Sequence, residues 1–125
     1  MGLNRRRQEA PGRSDEGLAV GEGQAVDGVV DRVRTRLVQR LRVEALILFG
    51  SRAEGKTDEW SDYDFIVVSP DFEGIAFIER GRLMFPLRER GVAYDFLCYT
   101  PAEFEALRSE PTIVKDAVEH GLALV

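Results

Sequence analysis

The chain has 125 residues, 44% of them hydrophobic and 31% charged, with a formal net charge of −5. This size and composition suit one ordinary globular domain and exclude fibrous or wholly unfolded classes. The negative balance argues against broad nucleic-acid binding, because neutralising phosphate charge supplies most non-specific affinity there.

Residues 1–22 mix charges with glycine and proline without helical or strand periodicity and read as a disordered tail, with the folded domain expected over 23–125. Arginines near the N-terminus are not followed by an apolar segment of signal-peptide length, and no stretch of about 18 apolar residues occurs. A cytoplasmic protein without membrane contact is expected. From Val26, apolar residues at 26, 29, 30, 33, 37 and 41 recur every three or four positions, which predicts an amphipathic helix. "VEALILF" (43–49) is a short apolar run ended by Gly50 and predicts a buried strand. "DFIVV" (64–68) predicts a second strand, closed by the turn signal "SPD". Residues 72 to about 90 carry a helical pattern that Pro86 should kink or split. "GVAYDFLCY" (91–99) predicts a third strand. Thr100 and Pro101 form an N-cap and first helical position for "AEFEALRS", a further short helix spans 111–120, and "LALV" adds a last short strand. The expected class is α/β (α+β), with a small mixed sheet and helices packed mainly on one face. Cys98, the single cysteine, cannot form an internal disulfide and reads as a buried, inert thiol. His120 reads as a helix-end residue and Trp60 as a loop aromatic that stacks on a nucleobase or covers the loop.

Chemistry is concentrated between residues 50 and 95. Asp62 and Asp64 lie two apart at the start of a strand, so they project together with α-carbons roughly 6.5 Å apart. Their mutual repulsion calls for bound cations, and hard oxygen donors favour Mg²⁺ or Mn²⁺ over zinc. Asp95, inside the third strand, also needs a partner. If the two strands are neighbours, all three carboxylates meet on one face and can hold two metal ions about 4 Å apart. Gly50 ends the first strand. If "SRAEG" then opens a short helix, the backbone N–H groups and hydroxyl at Ser51 suit a phosphate, with Arg52 adding positive charge.

Together, "GSRAEG" (50–55), "SDYDFIVV" (61–68) and "YDFLCYTPAEFE" (94–105) resemble the nucleotidyltransferases of the DNA polymerase beta superfamily, and most closely their minimal single-domain branch, over roughly residues 26–125. The resemblance implies that Asp62 and Asp64 bind two magnesium ions. It also implies that Asp95 holds one metal and helps activate an attacking hydroxyl, while Gly50, Ser51 and, more loosely, Arg52 bind a nucleoside triphosphate. The implied reaction moves a nucleoside monophosphate, in the favoured version AMP from ATP, to an acceptor hydroxyl and releases pyrophosphate. Minimal domains of this family are often antitoxins that modify a helical toxin of the HEPN type. A small-molecule transferase working with a separate helical substrate-binding subunit is an alternative. So is a binding protein that neutralises its partner by occlusion, and either a partner complex or a homodimer is compatible with the minimal domain.

Overall fold

A computed structural model of the chain describes residues 28–55 and 62–125. The tail expected over 1–22 lies outside the described residues, as does Trp60. The elements in chain order are α1 (Gly28–Arg40), β1 (Ala45–Phe49), β2 (Tyr63–Val68), a 3₁₀ turn (Pro70–Phe72), α2 (Phe77–Leu83), a second 3₁₀ turn (Phe85–Leu87), β3 (Tyr94–Tyr99), α3 (Pro101–Arg108), α4 (Ile113–His120) and β4 (Leu122–Ala123). The chain divides into two units, 1–31 and 32–125. Of the first unit only the opening turn of α1 is described. The sheet, the remainder of α1 and the other helices all belong to the second.

The four strands form one mixed sheet in the order β3-β2-β1-β4. β1 is antiparallel to both β2 and β4, whereas β2 and β3 run parallel. A parallel pair needs a crossover rather than a hairpin, and residues 70–93 supply it through α2 and the two 3₁₀ turns.

Both faces of the sheet are closed, which is why its strands read as continuous apolar runs rather than as alternating ones. Ile47, Phe49, Ile66 and Val68 pack with Phe104 of α3 and with Val114 and Ala117 of α4. Leu46, Leu48, Phe65 and Val67, on the opposite face, are fully buried, as are Val33 and Leu37 of α1. On that second face Tyr63, Phe65, Tyr94 and Phe96 form an aromatic ladder. Ring centroids are 6.5 Å apart for Tyr63–Phe65, 5.9 Å for Tyr63–Tyr94, 5.4 Å for Phe65–Phe96 and 5.6 Å for Tyr94–Phe96. Such aromatic contacts within and across strands stabilise a particular pairing by up to about 1 kcal/mol each.

Residues 72–90 are split ahead of Pro86, as expected of a proline that kinks or splits the pattern, with α2 ending at Leu83, but they also break at their start. Gly74 takes a left-handed φ of 78°, and the helix restarts only after Ala76, whose backbone is extended. Pro86 then sits inside a 3₁₀ turn, where its missing N–H costs nothing. α3 begins as its sequence predicts: Thr100 accepts from the Glu103 N–H and the Glu103 side chain accepts from the Thr100 N–H, a complete capping box with Pro101 at the first position.

The buried guanidinium of Arg80 ties this region together. Its Nε donates to the Ile75 carbonyl at 2.7 Å, and Nη1 donates to the Cys98 carbonyl at 3.2 Å. Two further bonds, at 2.6 and 3.2 Å, form a fork on the Glu103 carboxylate. One side chain therefore joins α2, the edge strand β3 and the start of α3. No helix of the described residues is long and apolar enough to cross a membrane.

Candidate active site

Tyr63-Asp64-Phe65 in β2 and Tyr94-Asp95-Phe96 in β3 are the same tripeptide, and the parallel register sets them side by side: Tyr63 opposite Tyr94, Asp64 opposite Asp95, Phe65 opposite Phe96. Because side chains alternate across a strand, the aromatic rings go to one face and both aspartates to the other. A slip of one residue would drive the carboxylates into the aromatic layer, so the ladder that fixes the register also fixes the acidic pair. Asp62, just before β2, is exposed, Asp64 is half-buried and Asp95 is exposed. Asp64 and Asp95 share the face that carries Ile66, Val68, Leu97 and Tyr99, at the end of the sheet beyond the cover of α3 and α4.

The electrostatics follow from this placement. Burial, then the charge of Asp95, then that of Asp62 push the Asp64 carboxyl above its ordinary value. An anion here is opposed by lost hydration and by two like charges, both of which a bound cation would reverse.

The Gly-Ser turn meets the same carboxylate. Phe49, the last residue of β1, pairs with Asp64. Gly50 has a left-handed φ of 79°, and a Cβ built on it would lie 2.5 Å from Asp64 Oδ2. Only glycine satisfies both the backbone angle and the close approach. The short helix expected at "SRAEG" is reduced to one hydrogen-bonded turn. The Ala53 and Glu54 N–H groups donate to the Gly50 carbonyl at 3.1 and 3.3 Å, and that of Gly55 donates to Arg52 at 3.4 Å. Gly55, with φ of 76°, ends the turn. The N–H groups of Ser51 and Arg52 precede the first of these bonded donors, and Ser51 is exposed at the mouth of the turn.

Of the six candidate residues, the structure thus brings Gly50, Ser51, Asp62, Asp64 and Asp95 to one end of the sheet. Arg52 belongs to the same turn, but its guanidinium carbon stacks 3.9 Å from the centre of the Tyr63 ring, a side chain of the opposite face. The Tyr63 ring is buried in the aromatic ladder, and no local sequence pattern announces this contact. His120 is exposed at the end of α4, 3.2 Å from Asp116, as its place before Gly121 suggested.

Asp64 and Asp95 on one face, the first of them desolvated and held against a turn, with Asp62 just before β2, are hard-oxygen donors of the kind that suits Mg²⁺ or Mn²⁺. Among the described residues no three His, Cys, Asp or Glu side chains are already gathered at ligating distance. The backbone register aligns the aspartates, and a metal would have to draw their side chains inward.

Comparison with known proteins agrees with this architecture. Two solved structures, BolA1 from Arabidopsis thaliana (24% identity, TM-score 0.52) and the BolA domain of SufE1 from the same plant (23%, 0.52), each match 62% of this chain over 98% of their own. At that identity the likeness concerns the fold alone. A candidate nucleotidyltransferase from Sulfolobus solfataricus matches at 20% identity and a TM-score of 0.48 over 76% of this chain and 71% of its own. No curated protein matches the chain. The family model for the nucleotidyltransferase domain, by contrast, matches residues 30–124, from the first helix to the last strand and across all six candidate residues, and the chain belongs to that family.

Proposed function

We propose that the protein is a metal-dependent nucleotidyltransferase that moves a nucleoside monophosphate, AMP from ATP in the specific version, to an acceptor hydroxyl. The observation that carries this reading is the juxtaposition of Asp64 with Asp95 in the β2–β3 register and with Gly50 in the turn after β1. Asp62, Asp64 and Asp95 would hold two Mg²⁺ ions, which when bound neutralise the charge that builds on the transferred and leaving phosphoryl oxygens.

The chain's own residues have three tasks. The Gly50–Ser51 backbone and the Ser51 hydroxyl grip the distal phosphates, and Arg52 would have to leave the Tyr63 ring to add its charge there. Asp95, on the open edge strand, orients the acceptor hydroxyl and takes its proton. The hydroxyl oxygen forms a bond to the α-phosphorus, the bond from that phosphorus to the oxygen bridging the α- and β-phosphates breaks, and pyrophosphate leaves. The product is a phosphodiester between acceptor and nucleoside.

For the acceptor we propose a tyrosyl hydroxyl on a helical partner protein of the HEPN type, which makes the protein an antitoxin acting by covalent modification in the cytoplasm. The test is incubation with Mg²⁺ and ATP labelled at the α-phosphate, with and without the product of the adjacent gene, followed by a denaturing gel. Label on the partner that vanishes with Asp64→Asn supports the proposal. Partner neutralisation without label, retained by Asp64→Asn, would replace it with occlusion. Label transferred only to an added small-molecule alcohol would keep the chemistry and reject the protein acceptor.

A further inference from the structure

β3, the strand that carries Asp95, lies at the edge of the sheet. The Ala93 and Tyr99 carbonyls turn inward, accepting from the Tyr63 and Ser69 N–H groups at 2.9 and 3.0 Å. Because backbone polar groups alternate along a strand, the carbonyls of Tyr94, Phe96 and Cys98 turn outward, where no strand of the described residues pairs with them. Two arginines that follow β2 occupy this edge instead. Arg80 Nη1 donates to the Cys98 carbonyl at 3.2 Å, and Arg88 Nη1 donates to the Tyr94 carbonyl at 3.1 Å. The second bond falls on the peptide that joins Tyr94 to Asp95, at the acidic end of the strand.

Arg88 is itself held. Its N–H donates to the Phe85 carbonyl at 3.1 Å, closing the second 3₁₀ turn. The next residue, Glu89, takes a fork of two bonds from Arg32 of α1, at 2.6 and 2.9 Å. The Arg88 guanidinium carbon lies 5.9 Å from the centre of the Tyr94 ring and 5.7 Å from that of Phe96, so the head rests against the aromatic ladder as it reaches the carbonyl. A charged donor fixed at its root and against two rings holds a carbonyl in one direction more firmly than exchanging water does.

We propose that Arg88 is a positioning residue for Asp95. By holding the Tyr94–Asp95 peptide from the open side of the sheet, it does what a neighbouring strand would do and fixes the direction in which the Asp95 carboxylate leaves the backbone. The proposal rests on the reading of Asp95 as the group that orients the acceptor hydroxyl and takes its proton. Arg88 acts on that step through the backbone alone, because its guanidinium lies against the rings of one face while Asp95 projects from the other.

The test compares Arg88→Met, which keeps an apolar stem over the rings and removes the donor, with Arg88→Lys and with Arg82→Met, which removes an exposed arginine of α2. Each is assayed with Mg²⁺, ATP labelled at the α-phosphate and the product of the adjacent gene, and its amide hydrogen exchange is followed by NMR. Arg88→Met should lower kcat about ten- to a hundredfold and leave KM for ATP within about twofold, because the triphosphate is held at Gly50 and Ser51. Arg88→Lys, with a charged donor, should recover most of that loss, and Arg82→Met should match wild type. Whatever the activity, the Asp95 amide of Arg88→Met should exchange at least about tenfold faster than in wild type, with the Tyr99 amide unchanged. Asp95 exchange equal to wild type overturns the proposal, as does equal acceleration at Tyr99, which marks a general loss of stability. Faster exchange at Asp95 with full kcat overturns it too, by showing that transfer does not depend on how Asp95 is held. A wild type that transfers no label, either to the partner or to an added small-molecule alcohol, overturns the reading of the site instead, and the exchange rates still decide whether Arg88 fixes Asp95.

Discussion

Gly50 stands where any side chain would collide with the Asp64 carboxylate: a Cβ there would lie 2.5 Å from Oδ2, and the φ of 79° already disfavours every other residue. Gly74 has nearly the same angle, 78°, with nothing within 4 Å of its would-be Cβ. The two glycines therefore separate backbone strain from close approach. Alanine at either site should cost about 1–2 kcal/mol through the left-handed backbone. Gly50→Ala should in addition displace the turn or the carboxylate and reduce nucleotidyl transfer, while Gly74→Ala leaves transfer unchanged. Thermal melts with transfer assays on both variants check this. Equal melting losses with full activity in Gly50→Ala would show that the close approach has no functional weight.

Asp64 works against stability as it stands, because burial and two neighbouring carboxylates all oppose its charge. Asparagine keeps the shape and removes the charge. The variant should melt at or above the wild-type temperature without added metal, yet lose transfer by about a hundredfold or more, since ligated cations supply several kcal/mol of transition-state stabilisation and 1.4 kcal/mol is about tenfold in rate. Mg²⁺ should also raise the melting temperature of the wild type more than that of the variant. A variant that is markedly less stable than wild type would mean that Asp64 has a structural partner instead.

Much of this arrangement can be read from the residues themselves. The three apolar runs correspond to the three long strands and Thr100-Pro101 marked the start of α3, whereas Asp62, expected on the strand with Asp64, lies just before β2. Neither sheet order nor register is a local property, however. That β3 lies parallel beside β2, with Asp95 opposite Asp64, is decided by the tertiary pairing of two Tyr-Asp-Phe segments. The burial of Arg80 is likewise not a local property: only the distant Glu103, engaged by the capping box of another helix, makes it tolerable. Residues 72–90 read as a helical pattern broken only at Pro86, because their apolar spacing outweighs Gly74 on paper. In the chain, the left-handed angle at Gly74 ends the first turn regardless of that spacing.

The Arg80–Glu103 fork makes a pH-dependent contribution whose sign is fixed. The hydrogen bond from Arg80 is the main cause holding the Glu103 carboxyl below its ordinary value. A depressed acid stabilises the fold fully above its unfolded pKa, near 4.5, and loses that contribution as pH falls through the lower folded value. Glu103→Gln should cost about 2 kcal/mol at neutral pH, below the full figure for a buried pair because the Glu103 side chain is 43% exposed. The gap between wild type and variant in urea unfolding should shrink at acidic pH, below the folded value. A gap that is constant across this range would assign the loss to the capping box rather than to the ion pair.

Cys98 is 1% exposed on β3, and burial pushes its thiol up to about 12 even though Arg80 beside it acts in the opposite direction. The thiolate is the reacting species, so native protein at pH 8 should react with a disulfide reagent only as fast as the thiol becomes exposed by opening of the fold. Glu103→Gln should then speed labelling in proportion to its loss of stability, about thirtyfold for 2 kcal/mol when opening is in fast equilibrium. The check is the labelling rate of both proteins against a urea-unfolded control. Prompt labelling of the native wild type would mean that β3, the strand that carries Asp95, leaves the edge of the sheet without global unfolding. The register that sets Asp95 beside Asp64 would then be transient and could not by itself define the acidic site.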